Sequence, residues 1–283
     1  MPARPDWPPT RVLSWLYCAP AQRGPVAALF GIEREIAQSL RPGLDHQIAH
    51  VRLGWWQEEF QRCAQGHPSH PLTRELAAAF PVQPATALAG LAGLVDTAVW
   101  DLSAATFENQ QQLGAYCQRW SSALIEPLVN LTLPGSTSDT CRALGSSLKE
   151  LELLNALAHD ARAGRLRLPL AALAQAGVAP DVLAQPPWPA QLVQLLRARH
   201  RQLRVALAAG VGALAPPEQA ALRALMVWVA LVARGSQRAA RALPAALNSR
   251  DHQAPLDGYR AWRAARRADA GRFRVPVDSG RVP

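Results

Sequence analysis

The sequence predicts an all-α fold, and three observations carry that prediction. Ala and Leu dominate a chain of 283 residues, and both hold helical backbone at little entropic cost. No run of alternating β-branched residues sits between turn signals, as a strand would require. Apolar residues recur instead at helical spacing between Pro and Gly breaks. A chain of this length forms one large domain or two small ones, and either buries a substantial core.

Taken in order, the periodicity predicts about ten helical segments. The clearest lie near 22–40, 46–65, 85–102, 109–126, 138–162, 189–209 and 217–243. Pro42-Gly43, residues 81–84, Pro134-Gly135, Pro186-Pro187 and Pro216-Pro217 separate them, because proline removes an amide donor and clashes with the preceding turn. Residues 255–268 are a further short helix candidate. No fixed-period repeat divides the chain. Residues 2–11 are rich in Pro and Trp and lack the apolar core of a signal peptide. The most apolar run, 225–233, is too short to span a bilayer. The expected location is the cytoplasm, with the inner face of the membrane as an alternative. The four Cys, with no secretory context, are expected to be reduced and buried.

The charge is +9, from 30 basic and 21 acidic residues, and only Lys149 among the basic ones is not Arg. No nucleic-acid motif or aromatic-interleaved basic run accompanies it, so nucleic acid is not an expected partner. The distribution says more. Residues 250–283 hold eight Arg against four Asp, with Tyr259, Trp262 and Phe273 among them. This Arg-rich tail reads either as a helix resting on an anionic lipid surface or as a solvated helix packing one aromatic on the core.

Two stretches point to chemistry. In residues 144–178, Asp160, Arg162, Gly164, Arg165, Leu168, Pro169, Gly177 and Val178 fall in the register N-x-x-x-D-x-x-x-D, A-R-x-G-R-x-Y-L-P, G-V. Glu152 stands at the Asn position, Ala156 at the first acid and Arg167 at the Tyr. Nearer the N-terminus, Tyr17-Cys18-Ala19-Pro20 precedes a helix carrying Arg34, Glu35 and Gln38 where paired acids and a last acid are expected. Arg52-Leu53-Gly54-Trp55-Trp56-Gln57-Glu58-Glu59 follows, and then His67-Pro68-Ser69-His70-Pro71.

These motifs resemble the squalene/phytoene synthase family of head-to-head prenyl diphosphate synthases over about residues 17–240. They are most similar to a branch that includes a respiratory complex I assembly factor with a synthase-like domain. The resemblance implies an isoprenoid synthase-like helical bundle around a central apolar cavity. It also implies a synthase-like domain over 17–249, an N-terminal extension over 1–16 and a tail over 250–283. Phe30, Trp56, Asp101 and Tyr116 would line the cavity, and Glu35 and Asp160 would mark a metal and diphosphate mouth. Arg52, Arg162 and Arg165 would grip a diphosphate, since guanidinium matches phosphate oxygens; Arg165 reads equally as a helix-end cap.

Carboxylates four apart share a helix face and together hold Mg²⁺ against a leaving diphosphate. Here that pair is reduced to Asp160, with Glu152 two turns away, roughly 12 Å. The expected function is therefore a re-purposed or inactive member that binds a lipid or isoprenoid, or assists assembly of a membrane complex with a protein partner. The alternative is an active Mg²⁺-dependent head-to-head prenyltransferase. Some residues have a plainer reading beside the chemical one. His159 is a general base or an exposed helix residue, Asp96 and Asp101 are cavity acids or locally bonded ones, and Cys63, His67 and His70 are a zinc site or, as the missing second ligand pair favours, a turn.

Overall fold

The computed structural model describes residues 7–41, 43–80, 88–134, 139–246 and 256–276. Among them every regular element is helical. Helix α1 (Pro9–Leu16) starts with proline in its first turn, where the missing amide costs nothing. A 3₁₀ turn then leads into α2 (Arg23–Gln38). Helix α3 (His46–Ala64) is capped by Asp45, which accepts from the amides of Gln47 and Ile48. Helices α4 (Pro71–Ala78) and α5 (Ala92–Leu102) follow. Asn109 caps α6 (Gln110–Asn130) in the same way, through the Gln112 amide.

Helices α7 (Asp139–Asn155) and α8 (Leu157–Arg162) meet at Ala156, and α9 (Leu170–Gln175) comes next. Helix α10 (Ala190–Ala213), α11 (Pro216–Ala221), α12 (Arg223–Ala242) and α13 (Asp257–Asp269) complete the described chain.

Three of these elements differ from expectation. The helix expected over 138–162 breaks at Ala156, the position of the absent acid. The one expected over 217–243 breaks at Leu222. Helix α6 runs through Pro127 to Asn130, because Leu124, Ile125, Leu128 and Val129 are buried around the proline and packing outweighs its lost hydrogen bond. The 81–84 break lies outside the described residues.

Helices α6, α7, α10 and α12 pack side by side, with α1 and α13 against α12 and α2 against α4. The α6–α7 contact is close at Gly145, where a Cβ would lie 2.0 Å from Ser121 Oγ. Trp228 is fully buried, edge-on to Phe30 at 5.8 Å and to Trp120 at 5.9 Å. The residues read as an N-terminal extension include α1, packed on α12, and those read as a tail include α13. Residues 250–255 and 277–283 of that tail lie outside the described residues. All four Cys are buried and none is in a disulfide. Among the described residues no helix is long and apolar enough to cross a membrane.

Candidate functional site

The break at Ala156 separates the acids of the 144–178 motif, and each meets its own arginine partners. Past it, Asp160 on α8 is buried and accepts from Arg167 Nε at 2.8 Å and Arg165 Nη2 at 3.1 Å. The other arm of Arg167 reaches Asp101 on α5 at 2.5 Å. Asp101 in turn accepts from the Tyr116 hydroxyl on α6, at 3.1 Å. Burial opposes ionisation of Asp160, but the two arginines outweigh it and hold its carboxyl below the usual range. Burial also pushes the Tyr116 hydroxyl well up, and the Asp101 charge adds to that. Arg167, at the position of the motif's Tyr, is thus a buried cation clamped between two acids.

Before the break, Glu152 on α7 accepts from Arg11 Nη1 at 2.8 Å, and Glu33 on α2 accepts from Arg11 Nε at 3.1 Å. The Arg11 guanidinium lies 3.5 Å from the centre of the Trp228 ring, with Trp120 and Phe30 also within cation–π range. Trp228 and Trp120 donate their ring N–H to Glu152 and Glu33. Burial works against the Glu152 charge, and Arg11 overrides it, holding the carboxyl low. Where an apolar lining was expected, the interior between α2 and α7 carries two carboxylates and the side chain of α1.

A divalent cation such as Mg²⁺ needs several oxygens in one coordination sphere. The oxygens of Asp101 and Asp160 are turned to Arg167, and those of Glu33 and Glu152 to Arg11. Among the described residues no group of three or more His, Cys, Asp or Glu converges. Glu35 pairs instead with His70, its carboxylate 3.6 Å from Nε2. The described residues do not fit a magnesium cluster.

They do form a cleft. A groove of about 520 Å³ at the end of α2 is lined by Arg34, Gln38, Arg41, Asp101, Arg165 and Arg167. It adjoins a second groove, of about 550 Å³, through the shared Arg34 and Gln38; the walls there are Trp7, Ala27, Ala28, Gly31 and Leu72, together with the acids Glu35 and Glu75. One end of the combined cleft is therefore cationic and the other largely apolar.

The other expected site residues lie elsewhere. Arg162 is exposed and donates to the Ala184 carbonyl. Arg52 is half-buried on α3 and makes no ion pair among the described residues. Phe30 packs in the core, and Trp56 is buried against Phe60 and His70. Asp96 pairs with Arg119 at the surface, and His159 is exposed.

The motif at 52–59 is explained by Glu59. Its buried carboxylate accepts from the amides of Ser69 and His70, the hydroxyls of Ser69 and Thr73, and Arg62. Burial alone would raise its pKa, but these donors bring it down to about 2. Cys63 lies against Glu59, and His70 Nδ1 caps the Leu72 amide, so this segment is a turn clamped to α3.

The sequence reading missed Arg11, Glu33 and Arg41. Arg34, Glu152 and Arg167 were visible as departures from the motif, without their partners. Nothing local marks Arg11, whose contact with Glu152 spans 141 residues of chain.

Comparison with known proteins supplies the frame for this geometry. The sequence model of the family described as squalene/phytoene synthase matches residues 9–260. The chain is similar to the crystal structure of a dehydrosqualene synthase in complex with ligand, at 16% identity and a TM-score of 0.76, over 92% of this chain and 90% of that one. It is also similar to squalene synthase HpnC from Alicyclobacillus acidocaldarius, at 18% identity and a TM-score of 0.63, over 81% of this chain and 87% of that one. No curated protein sequence matches it.

Proposed function

Because the chain belongs to the squalene/phytoene synthase family, we propose that it is a re-purposed member that binds an isoprenoid or other lipid phosphate without ionising it. The observation that carries this reading is Arg167, held between Asp101 and Asp160. Those acids already have a counter-ion, so they have little to offer a metal. The solved relatives are named as synthases; this chain keeps their fold without that activity.

The cleft supports a binding role. Arg34, Arg41 and Arg165 line its cationic end, and a guanidinium can hold phosphate oxygens directly, in bidentate fashion. Most of the adjoining groove is lined by Trp7, Ala27, Ala28, Gly31 and Leu72, beside Glu35 and Glu75, and its apolar part suits a hydrocarbon chain. Ionising an allylic diphosphate needs concentrated positive charge on the leaving group, in a site closed to water. Here the charge is spread along an open groove and partly cancelled by Asp101. A role in assembling a membrane complex, with a bound lipid as cue, is compatible with the same chemistry.

Two measurements test the reading together. Farnesyl diphosphate should bind equally well in EDTA and in Mg²⁺, and Arg41→Gln with Arg165→Gln should weaken it by roughly tenfold or more, as the loss of charged hydrogen bonds implies. No diphosphate should be released in Mg²⁺. Release that Asp160→Asn abolishes would establish the prenyltransferase alternative. Binding that requires Mg²⁺, or ignores the two arginines, would remove the metal-free site.

A further inference from the structure

Helix α13 packs with its small side chains inward and its large ones outward. Ala261, Ala264, Ala265 and Ala268 are buried, and the helix lies against α12. Tyr259 and Trp262 are 54% and 50% exposed and stack at 5.6 Å. Both aromatics of the helix face outward, and the aromatic that this tail packs on the core is Phe273, just past the helix end. Leu256, just before the helix, is 57% exposed.

The charge on the same face is one-sided. Positions three, four and seven apart share a helix face, so Arg263 and Arg266 stand beside Tyr259. The Arg263 guanidinium lies 5.7 Å from the Tyr259 ring. Arg263, Arg266 and Arg267 are exposed and have no acidic partner among the described residues. The two acids of the helix are engaged, Asp257 with Arg260 and Asp269 with Arg223. The end of α12 extends the cationic surface. Burial first, and then the charges of Arg260, Arg241 and Arg238, lower the Arg234 pKa, while Asp257 works the other way.

We propose that the outer face of α13 docks flat on a bilayer containing anionic phospholipids, with the Tyr259–Trp262 pair at headgroup depth and Arg263, Arg266 and Arg267 on the lipid phosphates. The charge selects an anionic partner, and the stacked rings decide which kind. A soluble polyanion would engage the arginines and leave both rings in water. At a membrane interface, Tyr and Trp bury their apolar bodies and keep the polar ends wet. A helix with this division of faces lies in the interface plane. The proposal stands apart from the lipid-binding cleft.

Co-sedimentation of the full chain with vesicles tests it. The chain should bind phosphatidylcholine vesicles only when they contain phosphatidylglycerol, and added salt should weaken binding. Replacing Arg263, Arg266 and Arg267 with Gln should lower the partition coefficient on the order of 100-fold, about fivefold per charge. Tyr259→Ala with Trp262→Ala should weaken binding to anionic vesicles and leave retention on heparin unchanged. Arg119→Glu, on another exposed surface, should change nothing. These side chains are exposed, so the variants keep the fold. Equal binding to neutral vesicles, no loss in the triple variant, or retention on heparin without binding to vesicles would overturn the proposal. So would a parallel loss of heparin and vesicle binding in the aromatic variant.

Discussion

Arg167 is useful to the fold only while both of its acids are present. Removing one partner of a buried ion pair leaves an uncompensated charge. Arg167→Leu should therefore cost about 3–5 kcal/mol in urea denaturation at pH 7. The pH dependence should change as well. In the native chain Asp160 titrates below its unfolded value, so its contribution is complete above about pH 4 and is lost as the pH falls through the folded pKa. Without Arg167, Asp160 keeps only Arg165 as a counter-ion among the described residues, so mild acid should cost the variant less stability than it costs the native chain. His200 supplies a second check. Burial, with help from Arg204, lowers its pKa to about 4, and its ring bonds Ser236 at 3.0 Å. The unfolded chain then takes up a proton below about pH 6.5 that the folded chain does not. Stability should decline between there and about pH 4, by up to roughly 3 kcal/mol, and His200→Gln should remove that slope in denaturation curves at pH 7 and pH 5. At this scale little was legible in advance. Arg167 and Glu152 stood out as misfits in a motif, but a misfit does not name its partner.

Elements were more legible, because their signals are local. The starts of α3 and α6 follow from neighbouring residues, and the structure caps them with Asp45 and Asn109. The Ala156 break was not legible, since neither proline nor glycine marks it. The match at 52–59 was found as a pattern and turned out to be a joint: Glu59 on α3 holds the turn that starts α4. Glu59→Ala should destabilise the fold by on the order of 3 kcal/mol, because several buried donors lose their acceptor. Hydrogen exchange should speed up first at the Ser69 and His70 amides, ahead of the rest of α4. The α6–α7 crossing offers a second test. A methyl on Gly145 would meet Ser121 and Ile125 at 2.0 and 2.7 Å, so Gly145→Ala should lower stability by about 1–3 kcal/mol, as overpacking does.

For the whole molecule, the motif order pointed correctly to the all-α synthase fold. It could not reveal the interior, where a contact between the first helix and the seventh depends on residues far apart in sequence. Deleting residues 1–16 should expose Glu33, Glu152 and Trp228 together. The expected result is a lower melting temperature and new binding of a hydrophobic dye, whereas Arg11→Met, which keeps the helix and removes the charge, should lower the melting temperature without the dye signal.

Arg11 and Arg167 also set how this protein meets its surroundings. A site balanced by a dissolved ion fills and empties with supply, and a chelator opens it. Arg11 and Arg167 are delivered by the ribosome, one of each per chain, and cannot be dialysed away. The folded state should therefore be indifferent to the magnesium content of its compartment, with its charges matched from the moment the chain closes.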